Sequence, residues 1–506
     1  MIGDVGAWCR YHVGDEAMTQ QTVSLVRRAC PSAQIAVVSG DPTLTGDLLK
    51  VEGVPRLGFD GLDEDARATL LEDLSRDDRD APPAFGWLSE PEDGLIIAGG
   101  GNLNSAWPAH IFERLALVRR ARDRQLPVIV TGQTIGPGLT DTDRARVGEI
   151  LGAACWVGVR ETHSLALARD LGVPWEKLSY QCDDAAYLSW EGRDRLSPGA
   201  DWIAVTLHAL VDPDGDDPLL DDLAASLQAI VDATGCGMVF IPHAPADKVV
   251  GARWSDEEMG HAIASRMADG GMTVRPLATA SDTAALTAEA AFVISSRYHP
   301  IVFGLAAGVP CFALWSDEYT RIKLEGALSH YDRARDACSL DELAGLPLER
   351  RVLLLWRRRR GVRSALQSAG REVAAAEAQR RAGLVQMLKT RHVRAVPRPK
   401  YLQDHLADAL LRADAAATVR AGAVSRRHDA ELAYFREAGE AAADYARNLA
   451  QHLSVAQADA AEALRQHEAA VAHHRRAEAA ATEYIESLKH HLMLAQAGAA
   501  ANNEAG

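Results

Sequence analysis

Short apolar runs and amphipathic stretches of helical period alternate along the first two-thirds of this chain. Before about residue 190, Gln34 to Ser39, Gly94 to Ala98, Pro127 to Thr131 and Cys155 to Val159 read as buried strands, each followed by a helical stretch. A second series starts at Asp201 to His208 and continues through Met238 to Pro242, Met272 to Arg275, Phe292 to Ser295 and Cys311 to Trp315. This alternation marks parallel α/β sheets. The polar, turn-rich segment Glu191 to Ala200 separates the two series as a linker would. The expected fold is therefore α/β, with two doubly wound, Rossmann-like domains, residues 1-190 and 201-345, facing each other across a cleft into which their strand ends point.

The pattern changes after about residue 345. Residues 350-400 read as a basic helical stretch broken at Pro397-Arg-Pro399, and 401-506 is about one-third alanine. There Tyr445, Leu449, Leu453, Leu464, Val471, Ile485, Leu488 and Leu492 recur at helix-like spacing, with alanine at many seam positions. Such a thin stripe fits a weak coiled coil, a long helical hairpin or partial disorder.

Charge sharpens this division. The net charge is -16, yet residues 350-400 carry 15 Lys or Arg against Glu372 and Glu377 alone, so this arm is near +13 and the remainder near -29. An acidic body excludes a nucleic-acid binder, which needs surplus cations for phosphates. The arm leaves open a peripheral contact with an anionic membrane or simple neutralisation of the body; the tail offers self-association. Seven cysteines without metal-ligand spacing read as reduced core residues of a cytoplasmic protein. There is no basic-then-apolar leader at Met1, and Arg297, His299, Pro300 and Pro310 interrupt the long apolar run 291-315. Neither secretion nor a membrane span is expected.

The candidate chemistry lies where strands give way to helices. In Val293-Ile-Ser-Ser-Arg-Tyr-His-Pro300, a buried strand ends in Arg297 and His299 just before an apolar, small-residue helix. That edge of an open parallel sheet binds ligands, and a helix N-terminus favours anions. An Arg fork suits carboxylate or phosphate, and His moves protons near neutral pH; helix capping or pairing with a carboxylate is the plainer role. Gly3-Asp-Val-Gly6 and Gly14-Asp-Glu-Ala17 open the chain before a helix, with Asp15 and Glu16 in its first turn, as dipole-matching caps or as ligand groups. The strand before that loop is very short, or the given start is incomplete. Gly99-Gly100-Gly101-Asn102 ends another strand, and three glycines in a row mark a close backbone approach. It is neither a dinucleotide fingerprint nor a P-loop. Gln133 and Thr134 lie in the next Gly-rich loop, placed for a sugar hydroxyl or a plain turn; Arg160 follows a strand with Glu161 beside it; Asp183 and Asp184 serve as a base or as helix caps.

Taken in order, these pieces resemble the polysaccharide pyruvyl transferase family over roughly residues 1 to 325. The landmarks are Gly14-Asp-Glu-Ala17, Gly99-Gly-Gly-Asn-Leu103, Gln133-Thr-Ile-Gly-Pro137, Val159-Arg-Glu161 with Ser164, the Asp183 loop, and Ser296-Arg-Tyr-His299 leading into Gly304-Leu-Ala-Ala-Gly-Val-Pro310. The resemblance implies a fold similar to two-domain (GT-B-like) glycosyltransferases and transfer of pyruvate from phosphoenolpyruvate to a cell-envelope or exopolysaccharide sugar, as a ketal. It implies that Arg297 and His299 bind and act on phosphoenolpyruvate, with His299 as the acid and Arg160 as a second anion clamp, and that Asp15 or Asp183 receives the hydroxyl proton. Gly14, Glu16, Gly100, Gly101, Asn102, Gln133, Asp183 and His208 complete the expected substrate-binding set. Phosphoenolpyruvate is a donor substrate, so no cofactor and no metal are expected; the partner is a sugar or lipid-linked glycan, the setting the cytoplasm or the inner face of the membrane.

Two positions depart from the family's usual pattern. His12 stands near where members often have Asn, and His208 ends the strand Ile203 to Leu207 where members often have Arg. The rival readings are a nucleotide-sugar glycosyltransferase of the same shape, with Arg297 on a diphosphate, and an inactive core serving as a scaffold for the helical tail.

Overall fold

The computed structural model describes residues 12-76, 81-192, 201-208, 218-246, 254-268, 270-390, 483-487 and 489. The expected first strand falls outside these residues, as does nearly all of the alanine-rich tail, of which only the helical residues 483-487 and 489 are described. The chain forms two compact units, residues 1-414 and 415-506.

Thirteen strands are described in the first unit. The N-terminal series holds β1 (Ala36–Ser39), β2 (Glu52–Pro55), β3 (Leu95–Ile97), β4 (Gly100–Leu103), β5 (Val128–Ile135), β6 (Trp156–Val159) and β7 (Leu178–Tyr180). β1 and β2 pair in parallel; β3, β5, β6 and β7 lie side by side, and β4 joins β5 beyond β3. β5 is buried along all eight residues, since helices cover both faces of a parallel sheet. The second series holds β8 (Trp202–Thr206), β9 (Gly237–Phe240), β10 (Met272–Val274), β11 (Phe292–Ser295), β12 (Cys311–Trp315) and β13 (Ala337–Ser339). Their order, β10-β9-β8-β11-β12-β13, is the 3-2-1-4-5-6 of a Rossmann sheet. Its topological switch point lies between β8 and β11, where such sheets bind ligands beyond their carboxyl ends.

Two doubly wound domains are thus present. The strands that the apolar pattern leaves out, β2, β4, β7 and β13, are three or four residues long and include Gly or Pro in β2 and β4, so each is too short to show a period. Each domain has its own core, one around Ile97, Phe112, Val130 and Val157, the other around Val205, Phe240, Val293 and Phe303.

The basic arm is a structural strap. Helix Leu348–Arg357 leads into helix Arg359–Thr390, whose 32 residues span about 48 Å. Its early residues Val362, Leu366 and Val373 pack in the second core, while Leu384 and Met387 pack against Ile96, Ile129 and Trp156 of the first sheet. Arg380 and Glu377, both buried, form an ion pair at 2.7 Å, and Arg380 also reaches Asp184 at 2.7 Å. Among the described residues no helix is long and apolar enough to cross a membrane.

Candidate functional site

A cleft of about 300 Å³ opens between the two domains. Its second-domain wall is built from the ends of β8 and β11: His208 follows β8, and Ser296, Arg297, Tyr298 and His299 follow β11. Arg297 is the N-cap of helix Tyr298–Ala307 and His299 lies in its first turn, so the apolar helix that the sequence places after His299 begins one residue before it. Helix Glu318–Ser329, after β12, adds Tyr319, Thr320 and Lys323. The first domain supplies His12, Gly14, Asp15 and Met18 from the start of helix Val13–Ala29, then Gly101, Asn102, Trp107, His110 and Arg160.

Arg297 is held from behind. Its Nε and Nη2 bond bidentately to Asp256 at 2.6-3.2 Å, and the fully buried Asp256 also accepts the N–H groups of His243 and Ala244. A guanidinium fixed this way keeps one edge for a ligand; its Nη1 makes no bond among the described residues. Ser296 Oγ lies 2.7 Å from His208 Nδ1, and burial, then Arg297, lowers the His208 pKa to about 4. His208 is therefore a neutral imidazole beside the guanidinium.

His299 is set by two contacts across the domain boundary. Its Nε2 is buried, makes no hydrogen bond among the described residues, and sits 3.9 Å from Asp183 Oδ2. Its Nδ1 lies on the Gly14 side of the cleft, where a Cβ on Gly14 would come within 2.0 Å of it. Glycine is thus required at 14 for the imidazole, rather than for a left-handed turn. Burial, then the charges of Arg160, Lys323 and His12, hold the His299 pKa well below its ordinary value. His299 is therefore a neutral imidazole.

Arg160 lines the cleft, yet it is only 1 % exposed. Its Nε donates to Thr134 and Glu161, its Nη1 reaches Asp183, and its guanidinium lies 4.6 Å from the Tyr298 ring centre. The expected second clamp is therefore a buried charge held by two carboxylates, and the open cation is Lys323, which the sequence reading missed. Lys323 Nζ bonds to the Tyr319 hydroxyl at 3.2 Å, and burial, then Arg160, lowers its pKa to about 8. A single Lys on a mixed helix carries no sequence signal; only the turn of Glu318–Ser329 toward the cleft reveals it.

Several expected ligand groups are structural. Gln133 is fully buried and donates to the Ala98 and Thr131 carbonyls, and Gly100 pairs with it across β4 and β5. Glu16 points away from the cleft and accepts the Ala280 N–H at 2.8 Å, at the start of helix Ala280–Glu289 in the other domain. Asp183 and Asp184 have different partners, Arg160 and Arg380. The triple glycine admits side chains: a Cβ at Gly99 would meet Met18 Sδ at 3.0 Å, and one at Gly101 would meet the Tyr319 hydroxyl at 2.0 Å. Asp15 and Asn102 do line the cleft. Five histidines also line it, yet among the described residues no group of three His, Cys, Asp or Glu is arranged to hold a metal ion.

The fold and this cleft define a two-domain α/β protein with a cationic, histidine-lined site at a Rossmann switch point. The chain belongs to the polysaccharide pyruvyl transferase family, whose model matches residues 12–318. No curated protein matches the sequence. Among solved structures, UDP-GlcNAc 2-epimerase from Neisseria meningitidis bound to UDP-GlcNAc is similar at 9% identity and TM-score 0.45, covering 71% of this chain and 96% of that one. The UDP-GlcNAc 2-epimerase from Methanocaldococcus jannaschii is similar at 11% identity and TM-score 0.44, covering 66% and 88%. A ugt transferase from Siraitia grosvenorii in complex with UDP gives 11% identity and TM-score 0.44, covering 78% and 98%.

Proposed function

We propose that the cleft binds phosphoenolpyruvate and transfers its pyruvyl group to two hydroxyls of a cell-envelope or exopolysaccharide sugar, forming a ketal and releasing phosphate. The observation that carries this reading is the placement of Arg297, Lys323 and His299 around one small cleft. Phosphoenolpyruvate carries a carboxylate and a phosphate, and the fixed Arg297 fork together with Lys323 supplies two separate cations for them.

His299 is the acid. Burial, with Arg160 and Lys323 nearby, keeps it neutral, and the negative charges of phosphoenolpyruvate offset those cations, so the imidazole gains its proton as the donor binds. The proton on Nδ1 passes to the methylene carbon, which becomes the methyl group, and C2 becomes oxocarbenium-like. One sugar hydroxyl adds to C2, giving its proton to Asp15 in the first turn of the opposite helix. The C2–O bond to phosphate then breaks and the second hydroxyl closes the ketal. Of the two hydroxyl protons, one makes good that spent by His299 and the other leaves on phosphate. A general acid contributes about 10² to 10⁴-fold, and cations on the departing phosphate add electrostatic stabilisation. Asn102, Trp107 and His110 on the first-domain wall face the space left for the sugar.

The test is to incubate the protein with phosphoenolpyruvate and candidate envelope glycans. Phosphate release matched by a pyruvyl mass gain on the glycan supports the reading; hydrolysis without glycan modification counts against it.

A further inference from the structure

We propose that the strap carries a docking surface for an anionic lipid membrane: the stripe formed by Arg350, Leu354, Arg357 and Arg358, with the exposed Arg360 following at the start of the next helix. These positions stand at i, i+4, i+7 and i+8 of helix Leu348–Arg357 and its cap, so they share one face, while Leu348, Val352, Leu355 and Trp356 bury the opposite face in the second core. All five are exposed, and Leu354, at 55 %, is the exposed large hydrophobic residue in the described part of residues 1-414.

The charge pattern is what singles the stripe out. Elsewhere on this acidic body several arginines find carboxylates, Arg76 with Glu72, Arg122 with Glu149, Arg144 with Asp170 and Arg266 with Asp221, and the exposed arginines without one among the described residues, Arg275, Arg335 and Arg371, stand on separate elements rather than together. Arg350, Arg357, Arg358 and Arg360 have no side-chain partner among the described residues. The nearby carboxylates are engaged, Glu349 by Ser226 and Glu342 by Arg351. Arg359 and Arg363 are also turned inward, the first stacked 3.9 Å over Trp356 and the second bonded to the Ala290 and Ala291 carbonyls. A row of unpaired guanidinium groups around one exposed leucine is what an interfacial helix presents, cations for anionic headgroups and an apolar side chain for the acyl boundary.

The placement leaves the cleft open. Arg363 and Trp356 meet β11 at its start, through Ala290, Ala291 and Phe292, whereas Arg297 follows its end. The stripe therefore lies at the opposite edge of the sheet from the site. Each arginine near an anionic surface strengthens binding by about fivefold, so four give an effect on the order of several hundred-fold over a neutral membrane.

The test is sedimentation of the full chain with vesicles of phosphatidylcholine containing about 30 % phosphatidylglycerol, against pure phosphatidylcholine, at low and high salt. The inference predicts binding to the anionic vesicles only, lost at high salt. It also predicts that R357E/R358E/R360E weakens this binding at least about 100-fold and that L354A weakens it a few-fold, both with unchanged melting temperatures. Absence of binding to anionic vesicles, equal binding to neutral ones, wild-type binding by the triple variant, or capture of RNA in place of vesicles would each overturn it.

Discussion

A Cβ on Gly14 would lie 2.0 Å from Nδ1 of His299, so a helix start in one domain and a buried imidazole in the other occupy adjoining space that only glycine leaves open. Gly14→Ala must push the ring aside. Position 14 is helical, so the backbone itself tolerates alanine. The expected outcome is a loss of kcat of about 10² or more, the contribution of a general acid, with a small change in melting temperature. Steady-state rates beside a thermal melt of the same variant check it.

Lys323 should give the proposed donor site a pH limit. With its pKa lowered to about 8, the ammonium is charged below that pH and neutral above it. Phosphoenolpyruvate affinity should therefore fall as pH rises through about 8. Lys323→Met should bind about tenfold or more weakly at pH 7 and lose that step. Titration calorimetry of both proteins from pH 6 to about 9 reads the difference.

Glu16 ties the helix Val13–Ala29 to helix Ala280–Glu289 across the domain boundary, and burial raises its pKa to about 7. A carboxyl whose folded pKa is raised contributes stability that is full below its ordinary pKa, near 4.5, and is lost as pH climbs to about 7. The span corresponds to at most about 3 kcal/mol. Glu16→Gln should remove this slope and be the more stable protein above pH 7, measured by urea denaturation at several pH values.

Arg380 sits between Glu377 and Asp184, all within the strap's contact with the Asp183 loop. Arg380→Met leaves two carboxylates buried without their cation, at a cost of about 3-5 kcal/mol. The melting temperature should fall clearly, and Arg380→Lys should recover only part of it because a single ammonium cannot span both carboxylates as the fork does.

What the sequence shows of this molecule follows from local patterning. Continuous apolar strands such as β5, β8 and β11 are buried on both faces, so they read clearly, and the Arg297–His299 junction reads with them. Gly14, Asp15, Gly101, Asn102 and His208 also line the cleft. Partnerships formed at long range do not read. Asp256 lies 41 residues from Arg297, and Arg380 is 196 residues from Asp184. Gln133 and Glu16 have the residue types of ligand groups, but their side chains serve a sheet end and a helix start. The strap's positive charge suggests a free arm, whereas its helical spacing buries Arg380 and Arg381 and leaves a separate stripe outside.

Binding of phosphoenolpyruvate between Arg297, Lys323 and His299 is the step on which the proposed reaction depends. Titrate phosphoenolpyruvate and, separately, UDP-GlcNAc into the wild-type chain and into Arg297→Ala. The expected result is saturable binding of phosphoenolpyruvate by the wild type, weakened at least about tenfold in Arg297→Ala, and no binding of the UDP-sugar. Binding of UDP-GlcNAc with none of phosphoenolpyruvate would contradict it.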